Sequence, residues 1–241
     1  MTHFKRKALA MLAGILLTFN ASANADSGVL FYPATGDGKH ASAVMLHGYS
    51  CIDDCMPAFK RYADMLNAQG LDVYFVKYYD DSDRRALADG TLDQGPAYAA
   101  RFKKWTGHVR AAIHNVKAQP RSDGHVALLG FSQGGRLAIA SAANNPDVQA
   151  LVGVYAAFPR TAELDADITA LPPTLLLHGS GDTVVPLADG EAAYAQAQAL
   201  GAAQELVVYP GEGHGFDFSE KGKAAIDARQ RVVAFVQRQL K

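Results

Sequence analysis

The stretch "LLGFSQGGRL", from Leu128 to Leu137, runs from aliphatic residues into a serine boxed by glycines and out into helix-forming residues. Within it, Gly130-Phe131-Ser132-Gln133-Gly134 has the spacing G-x-S-x-G. Between a strand and a helix, that spacing makes a sharp turn that strains the serine backbone and exposes its hydroxyl, with glycines where side chains would clash. The helix that begins there turns a positive dipole end and free N–H groups toward the same spot. A serine in this place also has a plainer role as a helix cap. A cap, however, needs neither a strand directly before it nor glycine on both flanks, so Ser132 is read as a nucleophile.

Outward from this turn the same alternation repeats. Strand-like runs occur at 28–33, 42–48, 71–79, 125–131, 148–158, 173–179 and 204–210, and helix-like stretches at about 56–69, 96–118, 133–144, 187–200 and 219–240. Strands apolar on both faces and separated by helices predict a parallel sheet covered on both sides, one doubly wound α/β domain. Functional residues in such a sheet gather beyond the carboxyl ends of the strands, which makes each strand end worth reading.

A serine hydroxyl needs a base and an orienting acid. "TLLLHGSGDTVVP" ends a strand at His178-Gly179 and places Asp182 in the following Gly-rich loop, the acid candidate. Asp165 and Asp167, in the loop after the preceding strand, are rivals; Asp217 is a weaker one, since it lies only three residues from the histidine candidate, in the same loop. "LVVYPGEGHGFDF" places His214 between two glycines after the last strand. The order Ser132, Asp182, His214 is the chain order of α/β-hydrolases and differs from that of other serine hydrolases. An oxyanion hole takes one N–H from the residue after the nucleophile, here Gln133, and one from an early strand-to-helix loop. "VMLHGYS" ends the second strand at His47-Gly48 and offers the Tyr49 N–H.

At the N-terminus, Lys5-Arg6-Lys7 precedes an apolar run from Ala8 to Phe19 and the small-residue sequence "NASANAD", the grammar of a signal peptide cleaved after Ala23 or, preferably, Ala25. Such a run makes a helix of roughly 18 Å, short of the roughly 30 Å a membrane anchor must cross. Residues 1–25 are therefore expected to be a signal peptide and 26–241 the hydrolase domain of a periplasmic or secreted protein without a membrane anchor. Removing the leader takes away three basic residues and no acidic ones, so the formal charge goes from −1 to −4. That balance argues against a nucleic-acid partner. The only two cysteines, Cys51 and Cys55, follow the Tyr49 loop directly, and export predicts that they form a local disulfide.

Together "HGYS", "GFSQGG", "HGSGDTVVP" and "YPGEGHGF" resemble the dienelactone hydrolase branch of the α/β-hydrolases, across essentially the whole mature chain. "GFSQGG" alone is also similar to the carboxylesterase and acyl-protein thioesterase group. The resemblance implies an α/β-hydrolase fold and hydrolysis of esters, thioesters or lactones. Two departures matter. Dienelactone hydrolases proper carry a cysteine where this chain has Ser132, and they control that thiol with a glutamate from an early loop, whereas no glutamate precedes Glu163 here. The resemblance thus implies a serine esterase on this scaffold.

The expected reaction passes through an acyl-enzyme on a small-molecule ester and needs no metal or organic cofactor. A peptidase on the same triad and a non-catalytic binding module are the alternatives. About fifteen residues between Phe158 and Thr174 leave no room for an inserted cap domain, so the site is expected to be open. Phe131, Tyr49, Phe158, Trp105 and Phe216 are candidates to line it, weighed against core packing. Arg136, Arg160 and the Arg84-Arg85 pair are candidates to hold a substrate carboxylate, weighed against surface solvation.

Overall fold

A computed structural model describes residues 28–93 and 97–241 of the chain. The expected leader, residues 1–25, and the first residue of the helix expected over 96–118 lie outside the described residues. No helix among the described residues is long and apolar enough to cross a membrane.

The expected alternation is present. Strands β1 (Val29–Tyr32), β2 (His40–Leu46), β3 (Asp72–Val76), β4 (Ser122–Phe131), β5 (Ala150–Val154), β6 (Thr174–Gly179) and β7 (Ala203–Tyr209) form one sheet in the order β1-β3-β2-β4-β5-β6-β7. Every pairing is parallel except that of β1, which joins the β3 edge antiparallel. The helices are α1 (Met56–Asn67), α2 (Asp81–Ala88), α3 (Ala97–Lys117), α4 (Gln133–Ala142), α5 (Leu187–Ala199) and α6 (Lys223–Gln239).

Strand periodicity of two explains why both faces are apolar. Ala43, Met45, Val73, Phe75, Ala127, Leu129 and Phe131 face one layer, packed with Phe59 and Tyr62 of α1 and with Val232 and Phe235 of α6. Their neighbours Val44, Leu46, Tyr74, Val76, Val126 and Leu128 face the other, against Phe102, Trp105 and Val109 of α3 and Leu137 of α4. A one-residue register slip would exchange the two sets, so each central strand is held by two cores at once.

Several elements differ from those read from sequence, and three of the differences have a clear local reason. Helix α2 was not anticipated; it is started by Asp80, whose side chain accepts from the Ser82 and Asp83 N–H groups while Asp83 bonds back to the Asp80 N–H. Strand β5 stops at Val154 because Tyr155 takes a positive φ of 42°. Helix α6 starts at Lys223, later than expected, since a 3-10 turn over Phe216–Phe218 occupies the preceding loop.

The chain builds β2, then β3 on one side, then crosses back to β4 on the other. The carboxyl ends of β2 and β4 therefore flank the topological switch point, where α/β sheets open a crevice.

Candidate active site

Ser132 follows β4 and precedes α4, with φ 56° and ψ −122°. A non-glycine residue there is strained, and the strain is sustained by tight packing around it. A Cβ on Gly130 would collide with the Gly134 carbonyl, and one on Gly134 would lie 2.7 Å from Leu46 O and collide with His47 O. Both glycines are required because strand, helix and the β2 end meet there without room for a methyl group. Ser132 makes no side-chain cap hydrogen bond, so its hydroxyl is left for other work.

The loop after β6 supplies Asp182, fully buried at its side chain. One carboxylate oxygen accepts from the Val184 and Val185 N–H groups, each at 2.9 Å. The other meets His214 Nδ1 at 2.7 Å. A carboxylate only accepts, so Nδ1 carries the imidazole proton, and Nε2 accepts from the Ser132 hydroxyl at 3.0 Å. The His214 side chain remains 22% exposed, which gives a substrate access to the histidine and withholds it from the acid.

The structure therefore brings Ser132, Asp182 and His214 together and separates the rival acids from them. Asp165 is exposed and pairs with Lys103 at 3.4 Å, and Asp167 is also exposed. Asp217 is buried beneath the His214 loop, where it accepts from the Tyr62 hydroxyl at 2.8 Å; burial pushes its carboxyl up. Its backbone carbonyl accepts from Arg229 at 2.7 Å, tying the loop to α6. Tyr155, at its positive φ, lays its ring 4.4 Å from that of His214.

Tyr49 and Gln133 also come close. Leu46 pairs with Gly130 across the β2–β4 ladder, and a Cβ on Gly48 would lie 3.5 Å from Ser132 Cβ. Neither the Tyr49 N–H nor the Gln133 N–H has a hydrogen-bond partner among the described residues; the turn's backbone bonds run instead from Gly135 and Arg136 to Ser132 O. Cys51 and Cys55 are joined by a disulfide with Cα atoms 5.4 Å apart, closing the loop that leads from Tyr49 into α1.

Of the aromatic candidates, Phe131, Trp105 and Phe216 take the core-packing alternative: all three are buried, Phe131 and Phe216 in the layer with α1 and α6 and Trp105 in the layer with α3 and α4. Tyr49 and Phe158 remain partly exposed. Arg136 is neither solvated nor free: it pairs through two nitrogens with buried Glu163 and lies over the Tyr98 and Phe102 rings. Arg84 is held by Asp81 and the Tyr79 carbonyl.

Sequence reasoning missed the tyrosines at the end of β3. The Tyr78 hydroxyl donates to His47 O at 3.0 Å and the Tyr79 hydroxyl to Tyr49 O at 3.1 Å. Their strand-end position was the available signal.

Compared with known proteins, residues 64–240 match the dienelactone hydrolase family. The chain belongs to that family. A Yersinia pestis protein named as a candidate carboxymethylenebutenolidase is 34% identical over 119 residues, covering 45% of each chain. A Methylorubrum extorquens protein of the same name is 33% identical over 116 residues, 44% of this chain and 39% of its own. The matches thus span less than half the length of these curated relatives. Among solved structures, a dienelactone hydrolase from Anabaena variabilis superposes with a TM-score of 0.67 at 22% identity, over 88% of this chain and 92% of that one. An esterase from Thermogutta terrifontis, bound to propionate, superposes at 0.64 with 17% identity, over 87% and 88%. These likenesses, together with the seven-stranded, mostly parallel sheet, give the α/β-hydrolase fold of the family.

Proposed function

We propose that this protein is an exported serine hydrolase that cleaves carboxylic esters, including thioesters and lactones, through an acyl-enzyme. The observation that carries the reading is the hydrogen-bonded chain Asp182–His214–Ser132, at 2.7 and 3.0 Å, ending on a serine held in strained backbone geometry. Family membership supports the hydrolase class, and the names of the relatives extend the substrate range to lactones.

In the acylation half, Ser132 Oγ attacks the ester carbonyl carbon while its proton passes to His214 Nε2. Asp182 holds Nδ1–H and stabilises the imidazolium that results. The carbonyl oxygen, now an oxyanion, is received by the Tyr49 and Gln133 N–H groups, each such donor worth on the order of 3 kcal/mol in comparable sites. Collapse of the intermediate breaks the carbon–oxygen bond to the alcohol, which leaves with the proton from Nε2. Water then repeats the sequence on the acyl-serine. With a lactone the leaving hydroxyl stays tethered to the acyl chain, and the same steps open the ring.

The leader expected at residues 1–25 and the Cys51–Cys55 disulfide both support export into an oxidising compartment. The activity is tested with short-chain nitrophenyl esters: wild type hydrolyses them, and Ser132→Ala loses roughly 10⁴-fold or more in kcat/KM. Equal rates for the two proteins would refute the assignment.

A further inference from the structure

The two oxyanion donors belong to different segments: the Tyr49 N–H to the loop after β2, the Gln133 N–H to the first turn of α4. A hole made from two segments works only if their separation is held before the charge develops. Backbone pairing between β2 and β4 ends at Leu46 and Gly130, before either donor is reached.

Beyond that point the Gly134 backbone packs on the β2 end, but the hydrogen-bonded connection is made by side chains, with Gln133 at its centre. Its amide nitrogen donates to the Tyr79 hydroxyl at 2.6 Å and to the Tyr78 hydroxyl at 3.2 Å. Those hydroxyls pass their own protons on, Tyr79 to the Tyr49 carbonyl and Tyr78 to the His47 carbonyl. The amide oxygen accepts from the Tyr98 hydroxyl of α3 at 3.2 Å. The set runs in one direction, from the amide NH₂ group to the tyrosine hydroxyls and from these to backbone carbonyls, with the Tyr78 proton shared between His47 O and, at 3.4 Å, Gly48 O. With both strand-end tyrosine protons committed to carbonyls, the amide can face them only with its NH₂ group.

The Gly48 carbonyl is held as well, by His47 Nδ1 at 2.6 Å. In a trans peptide the carbonyl and the following N–H point in opposite directions. Turning the Gly48 oxygen toward the His47 and Tyr78 side therefore aims the Tyr49 N–H away from them.

We infer that the Gln133 side chain is a positioning residue: through Tyr79 and Tyr78 it braces the Tyr49 loop against the start of α4 and so sets the distance between the two oxyanion donors. The inference rests on the serine-hydrolase reading above. It gives Gln133 a second role, carried by its side chain and separable from its backbone N–H.

The test compares wild type, Tyr79→Phe, Gln133→Leu, their double variant and Ser132→Ala. Each is measured for kcat and KM on a nitrophenyl ester, affinity for a trifluoromethyl ketone, and melting temperature. Tyr79→Phe removes one oxygen atom and keeps the ring in the core. We expect it and Gln133→Leu each to lower kcat and ketone affinity about tenfold, less than the loss of a whole donor. KM should stay within twofold, and the double variant should be no slower than the slower single, since both cut one path. Wild-type kcat in Tyr79→Phe, beside an inactive Ser132→Ala, would overturn the brace and leave the serine reading standing. Parallel losses in KM and melting temperature, with no selective loss of ketone affinity, would likewise overturn it in favour of a packing role. An active Ser132→Ala would overturn both.

Discussion

At Asp182 the division of labour between two oxygens makes a sharp prediction. In Asp182→Asn the amide oxygen can keep accepting from the Val184 and Val185 N–H groups, but the NH₂ group then faces His214 Nδ1. That nitrogen must accept, the proton moves to Nε2, and the Ser132 proton has nowhere to go. Steady-state kinetics should show kcat/KM down about 10⁴-fold, with the urea midpoint near that of wild type. His47 offers a test by pH. Burial lowers its pKa from 6.5 to about 4, and its Nε2 is buried without a hydrogen-bond partner. The unfolded chain therefore takes up a proton near pH 6.5 that the native state refuses until about pH 4. Stability contributed by neutral His47 is complete above pH 6.5 and falls away as the pH drops toward 4, by roughly 3 kcal/mol. Urea unfolding at pH 7 and pH 4.5 should show this loss in wild type and a smaller one in His47→Gln; equal losses would contradict it.

Among the elements, the turn between β4 and α4 has the least tolerance. Gly134→Ala drives a methyl group into the carbonyls of His47 and Leu46. It should cost several kcal/mol in chemical denaturation and most of the activity, since either the serine turn or the β2 loop must shift. Gly107, exposed in the middle of α3, has nothing within 4 Å of a built Cβ. Gly107→Ala should gain about 0.5–1 kcal/mol with kinetics unchanged. The Cys51–Cys55 bridge closes so short a loop that Cys51→Ser with Cys55→Ser should cost only about 2 kcal/mol in urea unfolding. These elements also show what could be read beforehand. Ser132, Asp182 and His214 were legible because strand-end loops, flanking glycines and chain order all carry their marks in sequence. Helix α2 was less visible, its signal reduced to Asp80 and Asp83 in a short polar stretch. The Tyr78–Tyr79–Gln133–Tyr98 set was not legible, because it joins β3, α4 and α3 through tertiary contacts. Phe131, Trp105 and Phe216 were equally undecided in sequence, where a single aromatic reads the same whether it faces core or crevice.

Across the whole molecule, the sheet's order decides where the chemistry sits. Crossing back over β2 to start β4 leaves a crevice between their carboxyl ends, and the loops after β6 and β7 bring Asp182 and His214 to its edge. The sheet and its two cores serve mainly to hold four loops at fixed distances. The central claim is that one serine in this crevice is the nucleophile. Treating the purified protein with a fluorophosphonate, then measuring intact mass, mapping the modified peptide and following esterase activity, tests it most directly. One adduct per chain is expected, on Ser132, growing in step with the loss of activity and absent from Ser132→Ala. An unlabelled chain, or a label elsewhere while hydrolysis continues, would contradict it.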